Sequence, residues 1–426
     1  MDQSIIALII IGLAIVSFAL EKIPLGLTAV LASLAMGVFG ITDYSKVYSD
    51  FGSLPCIMVV GMMIVSDACF ENGVAEALGN KLTKIGLGRN ERICTIVICA
   101  ISCILSAFLS NSAVVAMLIP VVASIVVQSN GRVQNKHVLM TVGMGAAAGG
   151  FCTLAGSTPQ LVAQGVLMDE GLREMGFFEL AKVGAPLCLI LVIYFGTVGY
   201  ALEKRVLKFP DVIPGLEEGT PKETTKKEYV KWKMVLSTVV LLGCIVGFIA
   251  GIWDIAVVAV AGASILMVTG CISWKKAFHN IDWNTIMCVA ACQGFAAGLD
   301  QSGAGALIAE KTLALFGENA TPMVLLSALF VVSVVLTNFM SNVSVCTMIL
   351  PIAISLANSV GADPVSYVMA IVIACQIALA TPIGTACVTQ TLVGGYHYMD
   401  YVKIGVPITV ILTIAGIVLI PVVYGI

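Results

Sequence analysis

The chain has 426 residues, of which 59% are hydrophobic and only 11% charged, and its formal net charge is −3. A soluble domain carries about 25% charged residues, so a water-soluble globular protein is excluded, and with no basic stretch so is a nucleic-acid binder. No His-Glu-x-x-His, Gly-x-Ser-x-Gly or Walker pattern is present, so the sequence does not point to an enzyme, and no organic cofactor is expected.

Apolar runs of roughly 17–25 residues, long enough to cross a ~30 Å hydrocarbon core, recur along the chain. The first, 5–20, follows an N-terminus with no basic region and no small-residue cleavage site, and reads as a span. Spans at 24–42 and 54–70 follow. Two apolar arms, 93–109 and 113–127, then meet at Ser110, Asn111 and Ser112. Segment 138–168 is interrupted by Gly, Thr and Pro at 156–159, and a span at 181–202 closes the series. After a polar linker, 203–233, the same order returns: spans at 234–251, 253–272 and 284–300, arms at 321–340 and 343–358, a segment at 365–394 interrupted at 381–385, and a last span at 403–424.

The two halves are copies. "FLSNSAVVAMLIP" from Phe108 and "FMSNVSVCTMILP" from Phe339 align without gaps, 231 positions apart. "TLAG" at 153–156 matches "TPIG" at 381–384, and "LAKVGAP" at 180–186 matches "YVKIGVP" at 401–407. The join between the arms is two or three residues with no charge. Such a join fits a re-entrant hairpin whose tip lies at membrane depth beside a cavity. Each half then crosses five times and carries one hairpin, and the odd number inverts the second half relative to the first. With both termini outside and the linker cytoplasmic, 18 of the 22 Lys and Arg fall inside, as the positive-inside rule requires. The expected fold is all-α and polytopic, built from two inverted repeats.

The hairpin tips carry the candidate chemistry. The second arm begins at the tip, and its N-terminus presents backbone N–H groups and the positive end of the helix dipole, which suits an anion. The first arm ends there with carbonyls that suit a cation. Ser106 lies four residues before Ser110, and Thr337 four before Ser341. These hydroxyls either bond back to their own helix or complete an oxygen site for a small hard cation, and the same spacing in both copies favours the cation. The hairpins and interrupted segments hold no Asp, Glu, Lys, Arg or His over 93–128, 138–168, 321–361 and 364–396. Without a titratable group in the path, a sodium-coupled anion carrier or an anion exchanger is expected over a proton antiporter. A channel is less in keeping with paired inverted units than alternating access is; a membrane subunit that needs a partner protein is a third reading, which activity of the purified single chain would exclude. Asp67 and Glu71 read as a helix end at the interface, Asp254 as a cap, and His137, His279 and His397 as loop residues without a role. The cysteines, 14 in all, read as small buried hydrophobes.

These segments, "LSAFLSNSAVVAMLIPVVAS" with "GAAAGGFCTLAGSTPQLVAQGVL" and "LTNFMSNVSVCTMILPIAIS" with "ALATPIGTACVTQTLVGGYHYMDYVKIGVP", resemble the divalent anion:sodium symporter family of the ion transporter superfamily. The resemblance covers most of the chain. It implies a homodimeric elevator in the cell's plasma membrane. The scaffold would comprise 1–92 and 234–305, and the moving transport parts 93–202 and 306–426. It also implies a small dicarboxylate such as succinate, malate or fumarate, or citrate or sulfate, carried with sodium. Sodium site 1 would use Ser106, Ser110, Asn111 and Gly156, and sodium site 2 Thr337, Asn342, Thr381 and Pro382. The carboxylates would meet Asn111, Ser112, Ser157, Thr158, Asn342 and Thr385. The chain departs from that pattern at Val343, which replaces a tip hydroxyl, at Gln160, where the family has Asn, and at the second break, which lacks the Asn. A less polar second tip suits a smaller anion or one with an apolar end.

Overall fold

A computed structural model describes the chain except residues 1–2, 21, 75–76, 78–86, 215–228, 251–252, 282, 285, 288–289, 292–297, 299–300, 305–306, 308–310, 312–320, 383 and 426. The expected span at 284–300, with Asp300, and the middle of the linker therefore lie largely outside the described residues. Within them the fold is helical, without strands.

The first copy contributes α1 (Gln3–Leu20), α2 (Leu25–Val38), α3 (Leu54–Glu71), α4 (Glu91–Ser106), α5 (Asn111–Gln128), α6 (Leu139–Gly149), α7 (Thr158–Asp169), α8 (Ala181–Gly196) and α9 (Val198–Val206). The second contributes α10 (Lys231–Ala250), α11 (Ile255–Val268), α12 (Trp274–His279), α13 (Pro322–Thr337), α14 (Asn342–Ser359), α15 (Pro364–Ala374), α16 (Ala386–Thr389) and α17 (Tyr398–Tyr424). Four of these, α5, α10, α14 and α17, are long and apolar enough to cross a membrane, and the bent pair α8–α9 makes a fifth. Side chains facing away from the protein bear this out. On α17, Val406, Val410, Ile414, Val418 and Val422 are all exposed at a spacing of four, so one whole stripe of the helix is apolar. A stripe of this kind is stable against lipid and would be a liability in water.

Both interrupted segments sit at the centre. Every residue of α6 is buried, as is α15 from Val365 onward. Small residues make this possible, because helices in lipid associate by close packing. A Cβ at Gly145 would lie 2.9 Å from the Cys99 carbonyl oxygen, and one at Gly149 would overlap the Cys103 carbonyl. Ser102 Oγ donates to the Val142 carbonyl across the same seam at 2.6 Å. In a second group α3 packs along α11, where a Cβ at Gly61 would sit 2.9 Å from the Ala259 oxygen. Asp254 caps α11 as expected, accepting from Ala256 N at 2.7 Å.

The closing span of the first copy is bent rather than straight: α8 and α9 meet at 48° at Thr197. Arg92 Nε donates to the Gly196 carbonyl freed by the break. The bend carries Lys204 to Glu91, 3.2 Å away. Glu91 also accepts from Tyr200 and from Gln134 N, and meets His137 Nδ1 at 3.0 Å. His137, which the sequence left without a role, is thus buried in a polar cluster at the base of the first hairpin. The start of the linker is held there too, with Asp211 accepting from Asn135 N and Lys136 N, both at 2.9 Å.

The closing spans repeat one close approach. A Cβ at Gly184 would meet the Phe151 carbonyl oxygen at 2.5 Å, and one at Gly405 would overlap the Leu379 carbonyl. Gly405→Ala should therefore cost about 1–3 kcal/mol by overpacking and lower the melting temperature in detergent. Gly12→Ala, with nothing within 4 Å of the added carbon, should leave it unchanged.

Candidate functional site

The sequence places a polar tip between two apolar arms twice, and the fold brings both tips to one place. At the first tip α4 ends at Ser106 and α5 starts at Asn111. Ser106 Oγ donates to Asn111 Oδ1, which ties the last turn of one arm to the first turn of the next. Thr337 Oγ1 donates to Asn342 Oδ1 at 2.8 Å in the second copy, and also reaches the Cys375 carbonyl.

Each tip is fastened to the break of its own interrupted segment. Thr153 Oγ1 donates to the Ala107 carbonyl, and Thr381 Oγ1 to the Asn338 carbonyl. Gly156 comes so near the Ser106 carbonyl that a Cβ would lie 3.2 Å from its oxygen, and at Gly384 it would overlap the Thr337 carbonyl. Asn338 adds a clamp in the second copy alone, accepting from Ala380 N at 2.8 Å and donating to the Ile377 carbonyl at 3.1 Å.

Between the two tip–break assemblies lies a cavity of about 390 Å³. Of the residues singled out in the sequence, Ser110, Asn111, Ser112, Gly156, Ser157, Thr158, Asn342 and Thr385 line it. Ser106, Thr337, Thr381 and Pro382 are buried and stand behind its wall. Val343 lines it and makes the second tip less polar than the first. Gln160 turns away. It is fully buried, donates to the Gly150 carbonyl and lies 3.4 Å from Gln376 Oε1, joining one interrupted segment to the other.

Three full helices and one short one begin at this cavity: α5, α7, α14 and α16. Their N-cap residues are Ser110, Ser157, Ser341 and Thr385, all hydroxyl-bearing, and in none does the side chain cap its own helix. Each helix N-terminus carries about +0.5 of an elementary charge, so together they offer on the order of +1.5 to +2, without one cationic side chain among the described lining residues. Such a cavity favours a small anion. At each tip, the Ser106 hydroxyl and carbonyl with Asn111 Oδ1, and the Thr337 hydroxyl and carbonyl with Asn342 Oδ1, supply neutral oxygens of the kind a hard monovalent cation takes.

Sequence reasoning missed the contribution of the other helix group. Met58, Met62, Ser66 and Asp67 of α3, together with Asn280 and Asn284, also line the cavity. Ser66 Oγ stands 3.4 Å from Ser110 N. Asp67 was legible as a carboxylate within an apolar run. Its neighbour Glu71 instead pairs with Lys276 at 2.9 Å, in keeping with a helix end.

The family model described as "Citrate transporter" matches residues 15–365 and 245–425. An uncharacterised transporter of Haemophilus influenzae is 25% identical over 393 residues, covering 88% of this chain and 83% of its own length. The sodium-dependent dicarboxylate transporter SdcS of Staphylococcus saprophyticus is 21% identical over 403 residues, covering 86% and 75%. Among solved structures, the YdaH transporter of Alcanivorax borkumensis superposes with a TM-score of 0.65 at 14% identity, over 100% of this chain and 98% of that one. The last of these establishes a shared fold.

The two threonine anchors give a test of the site's construction. Thr153→Val or Thr381→Val leaves a buried carbonyl without its partner, at a cost of about 1–3 kcal/mol. Each should lower the melting temperature by a similar amount, as read by thermal unfolding of the purified chain.

Proposed function

The chain belongs to the citrate transporter (CitMHS) family and is a membrane transporter, and from that premise we propose that it carries small dicarboxylates across the cell's plasma membrane, coupled to sodium. The observation that supports this most is the convergence of both tips and both breaks on one cavity ringed by helix N-termini. Its volume of about 390 Å³ lies within the ~300–1,000 Å³ of small-molecule sites, ample for a four-carbon dicarboxylate. The carboxylates meet Asn111, Ser112, Ser157, Thr158, Asn342 and Thr385. One sodium is held by Ser106, Ser110, Asn111 and the backbone at Gly156. A second is held by Thr337, Asn342 and the backbone at Thr381 and Pro382, with Gly384 marking the equivalent of Gly156. Sodium offsets the negative charge of the substrate and draws the hydroxyls of Ser106 and Thr337 from their asparagine partners.

The duplicated contacts support two inverted repeats with re-entrant hairpins, the termini outside and the linker cytoplasmic. Each hairpin is bonded to its own interrupted segment, whereas the described contacts of the tips with α3 are few. That difference supports an elevator movement, in which the hairpins, interrupted segments and closing spans slide past α1–α3 and α10–α12. The scaffold helices then form a homodimer interface.

The test is uptake of radiolabelled succinate by proteoliposomes holding the purified chain. Uptake should require an inward sodium gradient, fail in matched potassium and need no internal substrate. Uptake that is indifferent to sodium and driven by internal succinate would instead mark an exchanger. No uptake of succinate, citrate or sulfate would overturn the reading. Asn111→Ala and Asn342→Ala should abolish transport, while Ser110→Ala and Thr337→Ala should raise the sodium concentration needed for half-maximal uptake.

A further inference from the structure

Asp67 is the sole charged side chain among the described residues that line the cavity, and it has the same sign as an anionic substrate. It enters from α3, next to Ser66, which stands beside the first tip. The Asn280 amide is within its reach, but that group is neutral. Lys276, four residues before Asn280 in the chain, is paired with Glu71 at 2.9 Å. The helix N-termini thus attract negative charge into the cavity, and the carboxylate in its α3 wall repels it.

We propose that Asp67 is a specificity-determining residue that sets the charge allowed at the end of the substrate nearer α3. Of the two carboxylates met by the tip and break residues, the one nearer α3 also faces Asp67, Asn280 and Asn284, which line the same cavity. A hydrogen-bond donor there, such as an amide, a hydroxyl or a protonated carboxyl, is welcomed by the Asp67 oxygens. A second ionised carboxylate is repelled, because like charges in a site partly shielded from water interact more strongly than in bulk. A fully ionised dicarboxylate binds well only when cations accompany it. The inference rests on the anion-carrier reading and deepens it, since it assigns to one side chain the discrimination between monoanions and dianions.

Succinate and succinamate test it. They have nearly the same shape, and at pH 8 they differ by one charge at one end. Binding of each to the purified full chain is measured by calorimetry in potassium and in sodium buffers. In potassium the wild-type chain should prefer succinamate by about tenfold, and sodium should narrow the gap. Asp67→Asn should bring the ratio in potassium close to one, and Asp67→Glu should retain the preference. Asp67→Ser is expected to behave as Asp67→Asn does, and serves if the asparagine variant does not fold. A wild-type preference for succinate in potassium overturns the proposal without recourse to any variant. An unchanged ratio in a folded Asp67→Asn or Asp67→Ser chain that still binds both ligands also overturns it, and leaves Asp67 as a support for Asn280. Binding of neither compound to the wild-type chain under any condition overturns the anion reading and this proposal with it.

Discussion

A broken backbone inside an apolar protein must find partners for its polar groups, and the rest of this structure depends on how it does so. Each hairpin tip and each break frees carbonyls and N–H groups that a continuous helix would have paired. Lipid offers no hydrogen bonds, so the protein supplies them. Thr153 and Thr381 serve the carbonyls after the first arms. Ser106 and Thr337 tie each tip to its own asparagine. What these side chains leave open is concentrated at one cavity, where four helices begin without a side-chain cap. The polarity that would have been a defect elsewhere is gathered around one cavity.

Close packing follows from the same constraint. A break can be sealed from lipid only if neighbouring backbones approach it, and that needs residues without side chains. Gly184 and Gly405 bring the closing spans onto the breaks at equivalent places, Phe151 and Leu379, and Gly149 lets α6 lie against α4. Within each copy, hairpin, interrupted segment and closing span are thereby bound into one body. The copies also lock together: Gln160 of the first approaches Gln376 of the second, and Cys346 Sγ lies 3.5 Å from the Pro159 carbonyl. Moving one tip alone would break several of these contacts, whereas moving the whole body leaves them intact.

The end of the first hairpin distant from the tip has its own fastening. Glu91 gathers His137, Tyr200, Lys204 and the Gln134 amide, while Asp211 and Phe209 hold the 135–136 turn. Charge on Glu91 is tolerated here because its described hydrogen-bond and ion-pair partners are donors or cations, although the buried Glu203 carboxyl nearby has the same sign and no hydrogen-bond partner among the described residues. The start of the linker is thus part of the folded body, and the bend at Thr197 is what brings α9 within reach of Glu91.

The sequence by itself determined the class, the duplication and the tip and break residues that line the cavity. Length and apolarity of the runs are local properties, and lipid enforces them residue by residue. Ser-Asn between apolar arms, and Gly-x-Thr or Thr-Pro inside an apolar segment, are local too, because only broken helices carry such residues there. Tertiary structure alone decided what stands opposite the tips. Asp67 looks like any helix-end carboxylate in the chain, and only the packing of α3 beside the first tip makes it a charged residue of the cavity wall. Gln160, which departs from the Asn of the resembled family beside the first break, is turned away from the cavity by the pairing of the two interrupted segments. His137 was likewise unreadable, since its partner Glu91 lies 46 positions away and only the turn at 135–137 brings it back to the start of α4. Spacing along a helix reports one face of one element, and which face meets which is settled by contacts between residues far apart in the chain.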